Sequence, residues 1–315
     1  MDYPFDIDEI FASEGDGSVR LPRQRAGSSP QGLTVTLMAD YTARTRAWLP
    51  SAALVALLAE SGVSLAGART AISRLARRGI LESDRQGRYT RYRLTLSAAA
   101  HLRVGGNWVA SYGSAAATWD GWWTLIAFSL PQEAASRRRT LRNHLRWMGF
   151  APLYDALWIS PREFSAQAWN DLGMMRLDTV TAFRAQHIDL TRTAGRPPVD
   201  AWRLPAIAAR YEEFIHRWSP IVPSVRAGQL DGARAVRART EVMDHYRRFS
   251  TLDPQLPDTL LPAGWPRQAA RDVFIAVYDG LALCAEQHVR TVVGAHGAGP
   301  LPQIHANAMA DLLAG

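Results

Sequence analysis

Between Leu33 and Leu94 the apolar positions come in short runs, and their spacing predicts a close succession of small elements. Leu33–Tyr41 reads as an apolar helix and Trp48-Leu49 as an isolated apolar pair. A second helix opens at Ser51 and stops at a turn on Gly62, and a third starts at Ser64. Two strands, Ile80–Asp84 and Tyr89–Leu94, flank Arg85-Gln86-Gly87-Arg88. The third helix has the sharpest polarity. At 100° per residue from Leu65, Ala68, Ile72 and Leu75 fall at about 300°, 340° and 280°, whereas Arg69, Ser73, Arg77, Thr70 and Arg74 fall between about 40° and 180°. One face is core, and the other carries three arginines with a serine and a threonine.

Further along, the period changes. Small residues dominate from Ala98 to Ala117, including Gly105-Gly106 and Gly113-Ser114, and predict a short helix and a linker. Trp122–Leu130 is a β-rich apolar run closed by Pro131, Glu133–Trp147 an amphipathic helix, Leu157–Ser160 a strand before Pro161, and Asp178–Asp189 holds a third strand. That alternation fits a small ferredoxin-like α+β unit. After Pro197-Pro198 the pattern turns helical: Leu204, Ala208, Tyr211, Ile215 and Trp218 share one face, and further helices are expected over Gln229–Phe249 and Arg267–Val293. The fold class expected is multidomain α+β. A flexible lead-in occupies 1–30, a winged helix-turn-helix domain 31–97, a linker helix 98–118, a ferredoxin-like middle domain 119–198, a helical domain for effector or dimer contacts 199–293, and a tail 294–315. Disorder is expected at Met1–Pro30 and after Val293.

Charge changes this picture in one place. The 315 residues include 36 basic side chains, all of them Arg, against 29 acidic ones, a net +7. Residues 1–19 sum to −6, residues 20–103 to +10 and residues 104–315 to +3. An excess confined to the block with the Arg-faced helix points to a polyanion partner there. Arginine with Ser and Thr suits guanine edges and phosphate oxygens in a major groove, and arginines at a hairpin tip suit the flanking backbone. The candidate contacts to double-stranded DNA are Arg69, Thr70, Ser73, Arg74, Arg77, Arg85, Arg88 and Arg91.

Other classes drop out. A single cysteine, Cys284, excludes a disulfide scaffold and any multi-Cys metal site. No apolar run of about 18 residues exists to span a bilayer, and the acidic start lacks the order of a secretory signal, so a cytoplasmic location without a membrane partner is expected. The eight His are scattered, and Gly-x-Ser-x-Gly, phosphate-loop and dinucleotide patterns are missing. Neither enzyme activity nor a cofactor, catalytic residue or metal site is expected.

The segments Leu49-Pro50-Ser51-Ala52-Ala53-Leu54-Val55-Ala56-Leu57-Leu58 and Arg69-Thr70-Ala71-Ile72-Ser73-Arg74-Leu75-Ala76-Arg77-Arg78-Gly79-Ile80-Leu81 resemble the phenylacetic-acid degradation repressors, the PaaX-type regulators. The similarity continues through Trp119-Asp120-Gly121, Ala127-Phe128-Ser129-Leu130-Pro131, Leu145-Arg146-Trp147-Met148-Gly149-Phe150, Trp158-Ile159-Ser160-Pro161-Arg162, Tyr246-Arg247-Arg248-Phe249 and Leu252-Asp253-Pro254-Gln255-Leu256-Pro257. The resemblance implies a winged helix, a ferredoxin-like middle domain similar to a small CRISPR-associated nuclease fold, and a helical C-terminal domain. It also implies a dimeric repressor of aromatic catabolism released from its operator by phenylacetyl-coenzyme A or another acyl-coenzyme A. A nuclease reading would want a metal-binding acid at the end of the first middle-domain strand; Ser129 and Leu130 stand there, and Asp120 precedes the strand. That alternative, and a scaffold that binds no DNA, are the competing expectations.

Two groups are candidates for the effector. The helix over Glu133–Trp147 carries Arg137, Arg138, Arg139, Arg142 and Arg146 outside its buried stripe, and planar arginine forks bind phosphate well. His245, Arg247 and Arg248 form the second, with His245 and Arg248 spaced to pair with Glu241. Trp122, Trp123, Tyr154 and Trp158 could wall an aryl slot or simply be core. The effector set is Arg138, Arg142, Trp158, Arg162, His245, Arg247 and Arg248.

Overall fold

The chain is described by a computed structural model over residues 29–87, 89–114, 118–130, 135–163, 179–188, 196–297 and 300–314. The lead-in up to residue 28, and Arg88, lie outside the described residues. The fold divides into two compact units, one formed by the chain up to Ser114 with Glu212–Ser250 and Gln268 onward, the other by Ala115–Tyr211 with Thr251–Arg267.

In the first unit α1 spans Pro30–Thr42. Ser29 caps it by accepting from the Gly32 amide at 3.1 Å, and Pro30 occupies the first turn, where no backbone donor is needed; the helix therefore starts ahead of Leu33. β1 (Leu49–Pro50), α2 (Ser51–Glu60), α3 (Leu65–Arg77), β2 (Leu81–Gln86), β3 (Tyr89–Leu94) and α4 (Leu96–Ser111) follow. The strands form an antiparallel sheet in the order β1-β3-β2, and Gln86 pairs with Tyr89. The connection is thus shorter than expected, and Arg85 sits within β2.

The glycine-containing stretch expected to be a short helix and linker is the 16-residue α4, capped by Thr95, whose Oγ1 accepts from Ala98 at 3.3 Å. Its glycines serve packing. Gly105 is buried, and a Cβ on Gly106 would stand 2.9 Å from Leu312 Cδ2.

The later helices of this unit are α7 (Val222–Arg226), α8 (Gly232–Tyr246), α10 (Gln268 onward in Arg267–Tyr278), α11 (Ala282–His296) and α12 (Met309–Leu313), with α6 (Leu204–Trp218) and α9 (Phe249–Leu252) reaching into it. They do not gather as a body of their own: α11 packs on α8 and on α2, and α1 packs on α3 and α8. Tyr246 stacks on Phe274 with centroids 4.0 Å apart, and Phe274 on Tyr278 at 5.2 Å. The segment expected to be a disordered tail is folded here. Ile304, Ala306, Asn307 and Met309 are buried, the Asn307 amide donates to the Asp40 carbonyl at 2.9 Å, and its side chain donates to the Ala39 carbonyl at 3.0 Å.

The second unit is built on β4 (Trp123–Phe128), α5 (Ala135–Trp147), β5 (Ala151–Tyr154), β6 (Leu157–Ser160) and β7 (Val180–Ala185). The sheet is antiparallel in the order β5-β6-β4-β7. Alternate residues of β4 face opposite ways: Ile126 and Phe128 pack with Leu141, Leu145 and Trp158, while Trp123 packs with Ile159, Trp202 and Leu256. β5, with a proline in its middle, escaped the sequence pattern; it is an edge strand, where a missing donor is tolerated.

Within this unit Asp253 forms a buried knot. Arg267 donates to both of its oxygens at 2.9 and 3.0 Å, Tyr211 donates at 2.7 Å and the Gln255 amide at 2.7 Å. Burial alone would raise the Asp253 pKa, but these donors outweigh it and hold the carboxyl below its ordinary value.

Candidate nucleic-acid interface

The helices α2 and α3 end in the same way. α2 is closed by hydrogen bonds from Gly62 to Ala59 (2.9 Å) and Val63 to Leu58 (3.1 Å), and α3 by Gly79 to Ala76 (3.1 Å) and Ile80 to Leu75 (3.0 Å). Gly62 and Gly79 adopt φ of +82° and +71°, the left-handed state this cap requires. The turn between them fixes Ser64, whose Oγ accepts from Gly67 at 3.1 Å and starts α3.

The burial of α3 divides as its periodicity predicts. Ala68, Ala71, Ile72 and Leu75 are buried, whereas Arg69, Thr70, Ser73, Arg74 and Arg77 are exposed. Arg69, Arg74 and Arg77 make no ion pair among the described residues, so three charges stand on one face, held by a helix whose opposite face is locked into the core.

The hairpin divides its arginines. Arg85 is exposed, with Nε donating to the Gly87 carbonyl at 3.2 Å. Arg91 is engaged: it pairs with its cross-strand neighbour Asp84 at 2.6 Å, and its guanidinium lies 5.0 Å from the Trp48 ring centre. Arg93 repeats the arrangement with Glu82 at 2.7 Å and Trp48 at 4.3 Å, and Arg46 also pairs with Glu82. Trp48 is therefore the platform under the β2-β3 hairpin, a role the isolated Trp-Leu pair did not disclose. The visible signal was Arg at alternate positions 91 and 93 opposite acids at 84 and 82. Arg88 lies outside the described residues.

The effector candidates are distributed over both units. In the second, Arg138 donates to the Leu130 carbonyl at 2.8 Å, Arg142 reaches the Asp155 carbonyl at 3.5 Å, and Arg162 donates to the Pro254 carbonyl at 3.0 Å. Trp158 is 1% exposed, with Arg146 5.3 Å from its ring centre, and Trp123 is buried too; both are core. In the first unit Arg247 and Arg248 pair with Asp244, the latter at 2.8 Å, while Glu241 pairs with Arg237 at 2.9 Å and Arg217 at 3.4 Å. Where the spacing suggested Glu241, Arg248 pairs with Asp244, four residues away on the same helix, and His245 takes a different partner. His245 accepts from Trp218 Nε1 at 3.2 Å; burial, then Arg217 and Arg248, pull its pKa below the ordinary value.

Among the described residues no three His, Cys, Asp or Glu side chains converge as metal ligands, and no helix is long and apolar enough to cross a membrane. Asp120, ahead of β4, is paired with Arg184.

Fold and site together define a mixed helix and sheet protein in which the arginine-faced helix α3 and the β2-β3 hairpin precede, in sequence, a four-stranded α+β unit. Comparison with known families assigns each part. Residues 29–98 match the PaaX-like protein family, 116–196 the PaaX protein central Cas2-like domain, and 202–291 the PaaX-like protein C-terminal domain. The chain is 33% identical over 248 residues to the transcriptional repressor PaaX of Escherichia coli K12, covering 76% of this chain and 75% of that one. The chain belongs to the PaaX family. A solved structure of an uncharacterized protein from Mycobacterium tuberculosis shares the fold, with a TM-score of 0.54 at 18% identity over 86% of this chain and 99% of the other.

Proposed function

We propose that the protein is a DNA-binding transcriptional repressor of PaaX type. The observation that carries this is the α3 face, where Arg69, Thr70, Ser73, Arg74 and Arg77 are exposed together and the three arginines lack acidic partners among the described residues. In this reading residues 31–97 are a winged helix-turn-helix, α3 enters the major groove, and Arg85 and Arg88 at the β2-β3 hairpin grip the flanking backbone. The middle sheet, in the order β5-β6-β4-β7, is read as ferredoxin-like, a reading its match to a Cas2-like domain supports.

A two-fold homodimer in the cytoplasm would span half-sites one or more helical turns apart, each turn about 34–36 Å. Its genes would be those of phenylacetate-like aromatic catabolism, and an acyl-coenzyme A thioester would release it by binding the DNA-incompetent state more tightly. Footprinting on the DNA upstream of its own gene, with and without phenylacetyl-coenzyme A, tests the reading. Protection lost on adding the thioester is the expected result; the absence of any protected site would favour a scaffold without DNA.

A further inference from the structure

Residues 1–19 hold six acids and no arginine, with Ile7, Ile10 and Phe11 set among Asp6, Asp8 and Glu9. They precede residue 29, where the match to the PaaX-like family begins, and the repressor reading above gives them no role. A block of like charge outside a core is commonly an interaction segment.

The exposed face of α3 has the complementary chemistry. Arg69, Arg74 and Arg77 stand on it without an acidic partner among the described residues, and Leu65, 54% exposed, lies one turn before Arg69 on the same side. Basic side chains beside an apolar one match acids interleaved with apolar residues. The chain also enters α1 next to this helix. Arg78, at the C-terminal end of α3, donates to the Gln31 side chain at 3.2 Å, and Pro30 and Leu33 share a cleft of about 400 Å³ with Ser64 and Gly67 at the other end. Extended, residues 20–29 reach up to about 33–36 Å. Helix α3, with its 13 residues, is about 20 Å long and about 10–12 Å across with its side chains. Residue 19 can therefore be brought round the helix to any point of the arginine face.

We propose that residues 1–19 dock on the exposed face of α3 as an internal competitor of DNA. Their carboxylates take the place of phosphates against Arg69, Arg74 and Arg77, and their apolar residues cover Leu65. The tether makes the contact intramolecular, so pairs that are individually weak suffice. DNA has to displace the segment, which lowers the apparent affinity for every sequence and clears non-specific DNA first, because that binding is the weakest. The inference goes beyond the repressor reading and rests on its placement of DNA at α3.

Because the 36 basic side chains are all Arg, the Met1 amine is the one primary amine, and a succinimidyl nitroxide labels it alone in the full-length protein. NMR of the arginine side chains then reads the docking. The label should broaden the Nε–H signals of Arg69, Arg74 and Arg77 in the free protein, and saturation with duplex DNA should restore them. A triple variant, Asp6→Asn with Asp8→Asn and Glu9→Gln, should lose the broadening. At low salt it should also bind non-specific duplex about ten-fold more tightly, the effect expected of three exposed ion pairs. Signals at these arginines that ignore the label, broadening that survives saturation with DNA, or unchanged DNA affinity in the triple variant each overturn the competition while the repressor reading stands. If neither wild type nor triple variant binds any duplex, the placement of DNA at α3 falls with it. The labelled wild type carries no substitution, so it decides alone should the variant fail to fold.

Discussion

The guanidinium of Arg239 on α8 is fully buried and donates to the backbone carbonyl of Asn307 at 2.7 Å, across 68 positions of sequence. It also donates to the Tyr278 carbonyl and lies 4.0 Å from the Tyr278 ring centre, while Tyr278 holds Asp40 on α1. One side chain thereby joins α8, α10, α1 and the segment before α12. Both terminal nitrogens of this buried charge are satisfied by backbone carbonyls, so the segment around Asn307 is part of the first unit's core.

Arg239→Met should therefore lower the stability of the first unit by about 3–5 kcal/mol, because it strands two buried carbonyls and removes the cation near Asp40. Truncation after Pro300 should do comparable damage. Denaturant unfolding monitored by circular dichroism is the measurement; unchanged midpoints for both variants would detach the C-terminal segment from the core.

On a footprinted operator, Arg74→Ala or Arg77→Ala should cost about 1–3 kcal/mol if the residue reads a base, with no change in thermal unfolding. Fluorescence anisotropy with labelled operator checks this. Affinity should also fall steeply as salt rises, and a flat salt response would contradict phosphate anchoring.

The two hairpin arginines should behave differently. Arg85→Ala should weaken DNA binding and leave folding untouched. Arg91→Ala should cost about 1 kcal/mol of local stability, since it loses a cross-strand ion pair and a cation–π contact, and should speed amide exchange across residues 81–94. Indistinguishable exchange in the two variants would refute the role of Arg91 in supporting the hairpin.

Asp40 sets a pH dependence. Burial raises its pKa from 3.8 to about 6, against the pull of Arg239, the Tyr278 hydrogen bond and Arg247. A carboxyl whose folded pKa is raised holds its proton more tightly in the native state, so this contribution to stability is fully present below about pH 4 and is lost as pH rises through about 6, a change on the order of 3 kcal/mol. Asp40→Asn should abolish that slope and be the more stable protein at pH 7. Urea titrations between pH 4 and 7 give the comparison, and parallel curves for both proteins would exclude the effect.

Much of the candidate interface was legible in the sequence. The polarity of α3, its start at Ser64 and the glycines that stop α2 and α3 are local properties, determined by side chains within one or two helical turns. The same holds for the strand periods of β2 and β3. Where reading failed, the cause lay at a distance. Gly105 and Gly106 suggested only a short helix because glycine is a poor helix former, yet the 16-residue α4 runs through both, and Gly106 is small because Leu312 packs against it. The Gly- and Ala-rich end suggested disorder, yet its amides and carbonyls are taken up by Asp40, Ala39 and Arg239.

What the sequence alone determined is thus the set of arginines that can face outward, because helical and strand periodicity place them. Which of those arginines remain free was decided only by the tertiary structure. Among the described residues Arg69, Arg74 and Arg77 have no acidic partner on α3, whereas Arg91 is bound to Asp84, Arg46 to Glu82 and Arg44 to Asp311. Arg239, identical to them in composition, is wholly enclosed. The physical reason is that exposure follows from local geometry, but an ion's partner is whatever the fold brings within about 4 Å, and in this chain such partners come from up to hundreds of residues away.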